Sequence, residues 1–160
     1  MKRLRKWMFV LGILMICLLG VGILHSIVVE SKEINRDMTN EHLEDVYLNS
    51  DIDELDPSSL YPLPVDTNEY KNSFSYYELV IALNETNQIN YISTKNKDVQ
   101  TSQGISVGDH KDKIVKQYGA NYHDEINDDN HLYISYQDRQ AEIRFWLDDD
   151  RVYLIELIKL

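Results

Sequence analysis

Along the chain an unbroken apolar run gives way to an acidic stretch with little hydrophobic order, and then to short segments whose apolar residues recur at strand spacing. Residues 7–29, WMFVLGILMICLLGVGILHSIVV, are 23 residues without a charged side chain. About 20 residues, rising 1.5 Å each, cross a hydrocarbon core of about 30 Å, so this run reads as a transmembrane helix. A cleaved signal peptide has a shorter apolar region and a small-residue cleavage site. The exit sequence LHSIVVESKE has no such site, and an uncleaved signal anchor is expected. The tail 1–6 carries Lys2, Arg3, Arg5 and Lys6, which stay on the cytoplasmic side and place the rest of the chain outside.

Residues 30–73 hold all three prolines, many acids and few large apolar residues, the composition of a linker. A stripe of Ile34, Met38, Val46 and Tyr47 is interrupted at Glu41, His42 and Asp45, and DPSSLYPLP favours extended backbone. A helical or disordered stalk followed by a proline-rich spacer is expected.

From residue 74 to residue 160 the pattern becomes alternating. SYYELVIAL and INYIST, divided by NETNQ, read as a hairpin with Leu83 facing Ile89, Ile81 facing Tyr91 and Leu79 facing Ser93. HLYISY, QAEIRFWL and RVYLIELI read as three more strands. A three-residue loop at Asp148, Asp149 and Asp150 sets Phe145 opposite Tyr153, Ile143 opposite Ile155 and Ala141 opposite Leu157. A loop over 137–140 sets Tyr136 by Ala141, Ile134 by Ile143 and Leu132 by Phe145. A one-residue slip would invert both faces, and the two registers agree on one inner face, leaving Glu142, Arg144, Trp146 and Leu154 on the other. HKDKIVKQYG reads as a short helix with Ile114, Val115 and Tyr118 on one face, Asp109 as its N-cap and Gly119 at its C-terminal cap. The expected fold is α+β: a transmembrane helix, then an antiparallel sheet of about five strands in the order β-β-α-β-β-β, packed with one helix.

Charge narrows the function. Without the basic tail, 12 Lys and Arg stand against 27 Asp and Glu, a net charge of −15. Nucleic-acid binders depend on basic patches, so that class is excluded, and a cationic partner or a metal ion is the complementary expectation. The single cysteine, Cys17, lies in the apolar span behind the bulky Ile16, which disfavours lipidation, and the exported part can form no disulfide.

Candidate chemistry is sparse. GISVGDHK lacks the spacing of a phosphate-binding loop and places Asp109 where an anion would sit. The stretch NYHDEINDDNH offers Asp124, Asp128 and Asp129 as donors for weak calcium binding, although Ile126 and Asp129 stand where a calcium loop needs a ligand and a glycine. No exported cysteine or serine has the context of a nucleophile. The strands hold more aromatic residues than one inner face needs, and Trp146 with Arg144 on the outer face has the composition of a binding surface.

The motif T-x-x-GI-x-VGD-x3-K-I-V-x2-YG at Thr101–Gly119, followed by a strand ending I-x-F and by V-x-x-I-x-L at Val152–Leu157, resembles a module of small exported or membrane-anchored Gram-positive proteins. The plan is similar to that of the BamE (SmpA/OmlA) lipoproteins and of beta-lactamase-inhibitor-protein-like domains. The resemblance implies a helix on an antiparallel sheet, binding of other proteins, no catalytic residues and no cofactor. It covers about residues 75–160, and its matched positions, among them Gly104, Gly108, Asp109, Tyr118 and Gly119, are architectural. Together these readings lead to the expectation of a non-enzymatic module that binds or modulates another envelope protein, with weak divalent-cation binding by the 123–131 loop as the alternative.

Overall fold

Alternation along β8 (Leu132–Gln137), β9 (Ala141–Asp148) and β10 (Arg151–Lys159) builds a large part of the hydrophobic core. The computed structural model describes residues 36–64 and 72–160. The tail 1–6 and the span expected over 7–29 lie outside the described residues, among which no helix is long and apolar enough to cross a membrane. Asn35–Leu160 forms one compact unit.

The expectation of a five-stranded α+β domain is overturned. The described residues are mostly β, with a two-stranded sheet, an eight-stranded antiparallel sheet, a single α-helix and two short 3-10 turns. The small sheet is β1 (His42–Leu43) paired with β2 (Val46–Tyr47). The large one contains β3 (Leu60–Pro62), β4 (Ser73–Tyr76), β5 (Leu79–Leu83), β6 (Ile89–Thr94) and β7 (His123–Ile126) with β8–β10, in the order β3-β4-β5-β6-β10-β9-β8-β7. Two four-stranded meanders thus join where β6 pairs with β10. The connection between them carries helix α1, Lys111–Tyr118.

The three unexpected strands of the large sheet have separate causes. SYYELVIAL is two strands, because Tyr76 pairs with Leu79 across a two-residue turn in which Tyr77 adopts φ +48°. Glycine normally marks such a turn, and none is present. β7 is acidic and exposed, so it carries no apolar alternation. β3 arises from the stretch read as a spacer and pairs with β4 through Leu60–Tyr76, Tyr61–Ser75 and Pro62–Phe74. The rest of that stretch also belongs to the domain: Met38, Leu43 and Val46 are buried in the core, and Arg36 N–H donates to the Gln137 carbonyl at 3.1 Å.

Registers differ from expectation while faces mostly persist. β9 and β10 meet through a two-residue turn, Asp149–Asp150, with both residues at positive φ as a type I′ turn requires. A bulge at Tyr153 then absorbs one residue. The net displacement is two positions, so Phe145 faces Ile155 and Ile143 faces Leu157, and these four keep the inner face, whereas Val152 takes the core position expected for Tyr153. β8 is likewise displaced by two, with Ile134 opposite Phe145 and Tyr136 opposite Ile143. In β5–β6 the pair Leu83–Ile89 forms, but a bulge beyond it sets Ile81 against Ile92 and turns Tyr91 to the outer face.

At eight residues α1 is too short to be stable alone; it is held by burial of Ile114 and Tyr118, the latter against Tyr136 and Phe145 at ring separations of 5.1 and 5.2 Å. Its N-cap is His110, whose Nδ1 accepts from Asp112 N–H at 3.2 Å, not Asp109. The displacement has a local cause. Gly108 at φ +93° donates to the Val152 carbonyl at 2.7 Å, and His110 bridges to Arg151, so the chain stays strand-like through residue 110. Gly119 forms the C-cap at φ +100°, donating to the Val115 carbonyl at 2.9 Å.

Candidate binding face of the sheet

Strand alternation sends one residue in two away from α1. On β8, β9 and β10 those outer positions include Tyr133, Glu142, Arg144, Trp146, Leu154 and Glu156. Cross-strand pairing sets Trp146 between Tyr133 and Leu154, and Arg144 between Ser135 and Glu156. The sheet therefore brings Arg144 and Trp146 into one patch, with Tyr133 on the β8 side and Leu154 and Glu156 on the β10 side.

Carboxylates fix the orientation of this patch. Glu156 accepts from Trp146 Nε1 at 2.6 Å and from the Tyr91 hydroxyl at 2.7 Å, one through each oxygen. Glu142, 5% exposed, accepts from Arg144 Nε and Nη2 at 2.9 and 2.7 Å. Glu125 on β7 accepts from the Tyr133 hydroxyl at 2.6 Å. The Arg144 guanidinium lies 5.1 Å from the centre of the Tyr133 ring, which is 4.7 Å from the Trp146 ring.

The protonation states follow from these contacts. Burial, helped by the bond to Glu125, pushes the Tyr133 phenol up to about 12, so it remains a donor. For Arg144 partial burial opposes the charge, but the hydrogen bond and charge of Glu142, with Tyr133 and Glu156, hold its pKa above the ordinary value. Each of the three carboxylates is engaged by a donor and so orients the aromatic groups.

The other sequence-derived candidates are dispersed. Asp124 lies on β7 opposite Ile134, whereas Asp128 and Asp129 occupy the exposed β7–β8 turn, closed by Asn127 Oδ1 accepting from His131 N–H at 2.8 Å. Among the described residues no group of three or more His, Cys, Asp or Glu could hold a metal ion. Gly104 closes a turn by donating to the Thr101 carbonyl at 2.8 Å. Asp109 accepts from Ser106 N–H at 2.8 Å and from Lys113 Nζ at 2.7 Å. The Gly119 carbonyl accepts from the Tyr136 hydroxyl at 2.6 Å.

Tyr118 belongs to a second polar cluster. Its hydroxyl donates to Glu41 Oε1 at 2.9 Å, and the same oxygen accepts from Ser102 N–H at 3.2 Å. Glu41 is 6% exposed. Burial first, and then the charge of Glu41, raises the Tyr118 pKa far above its usual value. Arg36 covers the ring at 4.7 Å. This cluster ties the 36–48 segment to α1 and to the 101–105 turn.

Sequence reasoning overlooked Glu156 and Glu41, and it counted Tyr91 and Tyr133 among the strand aromatics in excess of one inner face without placing them beside Trp146. Alternation in RVYLIELI, between buried Ile155 and Leu157, is the signal for Glu156; Glu41 has none, since a long-range contact places it, and a bulge turns Tyr91 outward. Compared with protein-family models, with curated proteins and with solved structures, the chain matches none.

Proposed function

We propose that the chain is a non-enzymatic binding module of the cell envelope, held at the membrane by residues 7–29, and that another envelope protein docks on the outer sheet face around Trp146 and Arg144. The observation that carries this reading is the preorganised patch: a tryptophan, two tyrosines and an arginine, each held by a carboxylate. Tryptophan, tyrosine and arginine supply most of the energy at protein interfaces, and side chains already locked in place lose less entropy on binding.

The test is crosslinking in the intact cell and capture of the full-length chain, beside the same chain carrying Trp146→Ala or Arg144→Ala. One envelope protein should be recovered with the wild type and lost with either substitution. Equal recovery from the variants would remove the outer face as the site, and no enrichment over an unrelated anchored protein would end the binding-module reading.

A further inference from the structure

A groove of about 530 Å³ lies beside the β4–β5 turn and shares no residue with the outer-face patch. Its floor is apolar, formed by Val46, Leu79 and Val99, each 4% exposed, with the half-buried Leu55. Tyr76 and Tyr77, packed edge-on at 4.8 Å, form one wall. The rim consists of Glu44, Asp45, Glu54, Glu78 and Asp98, all exposed, and among the described residues no Lys, Arg or His lines the groove. None of these five acids forms an ion pair with a described residue.

Tyr77 marks the groove in a second way. It sits at φ +48°, a conformation costly for a bulky side chain and normally given to glycine in a two-residue hairpin. Its ring is nevertheless 67% exposed, so core packing does not account for the choice of residue. Non-glycine residues held at positive φ cluster at binding sites and switch regions. On the other side of the same turn lies a larger cavity of about 850 Å³ that is lined by Lys95 and Lys97. Tyr77, Glu78 and Leu79 line both, so the acidic groove adjoins one that carries positive charge.

We infer that the acidic groove binds a cationic amphipathic peptide segment of a partner protein. Its lysine or arginine side chains would meet the five carboxylates and the faces of Tyr76 and Tyr77, and its apolar side chains would cover Val46, Leu55, Leu79 and Val99. The volume suits a few side chains. Cation–π contacts and complementary charge provide selectivity, while the apolar floor distinguishes such a segment from a plain polycation.

The probe is a labelled, acetylated and amidated hexapeptide of alternating leucine and lysine, titrated into the full-length chain in zwitterionic detergent at physiological salt and read by fluorescence anisotropy. Two control peptides replace all lysines by glutamate or all leucines by serine. Saturable binding of the leucine–lysine peptide alone is expected. It should weaken at least tenfold in Tyr77→Gly, a substitution that the turn accommodates without strain, and in Glu54→Gln/Glu78→Gln/Asp98→Asn, which alters exposed groups only. Trp146→Ala should leave it unchanged. The inference is overturned by absence of binding, by equal binding of the serine–lysine peptide, or by unchanged affinity in both groove variants. Loss of binding in Trp146→Ala alone would move the peptide to the outer face and equally overturn it.

Discussion

Leu43→Ala tests whether the acidic stretch after the expected membrane span is a linker or part of the folded unit. In a linker the substitution would change stability by no more than about 0.5 kcal/mol, as at any exposed site. In the structure Leu43 is 0% exposed, pairs with Val46 across the β1–β2 hairpin and bridges to Thr101. Truncating a buried leucine costs about 2–5 kcal/mol, through lost transfer energy and the cavity left behind. That is a large share of the roughly 5–15 kcal/mol that holds a domain together. For a unit of this size a loss of 1 kcal/mol lowers the melting point by roughly 3–5 °C, so a fall of about 10 °C is expected. The assay is urea and thermal unfolding of the full-length chain in detergent, followed by tryptophan fluorescence in a Trp7→Phe background that leaves Trp146 as the only reporter. Tyr61→Ala, at a residue 64% exposed in the same acidic stretch, is the control and should stay near wild type. A Leu43→Ala midpoint within about 0.5 kcal/mol of wild type would refute the assignment of residues 36–48 to the core.

Two further outcomes follow from the polar contacts of the same segment. A double-mutant cycle of Glu41→Gln and Tyr118→Phe should give a coupling of about 1–3 kcal/mol in urea unfolding, because the 2.9 Å bond is buried and has a carboxylate acceptor; additive effects would mean that the pair contributes nothing specific. Asp138 accepts from the N–H groups of Met38, Gln140 and Ala141; partial burial opposes its charge, but these three bonds prevail and its pKa lies below 3.8. A depressed folded-state pKa contributes stability that is full above the unfolded value and lost as pH falls through the folded value. Asp138→Asn should therefore be less stable than wild type at pH 7, with the gap closing well below pH 3.8, whereas a pH-independent gap would assign the loss to shape alone.

The long apolar run, the acidic balance and the period-two alternation of β8–β10 are local properties, and local properties can be read from one sequence. Alternation determined which side chains of β8–β10 face the core, except at the bulge, where Val152 replaces Tyr153. Displacements of two residues left those faces intact, so Trp146 and Arg144 belong to the outer face in either register. The tertiary structure alone decided the rest. The bulge in β5–β6 moved Tyr91 outward by inserting one residue that no local pattern announces. The turn at Tyr77 lacks the glycine that would have revealed it, and so one apparent strand is two. Met38, Leu43 and Val46 look like scattered apolar residues in a linker because their partners lie far away in sequence. Glu41 looks like an interruption because its donors, Tyr118 and Ser102, are 77 and 61 residues distant. A buried carboxylate is tolerable only where such donors converge on it, and their convergence is a property of the folded chain, not of any window along it.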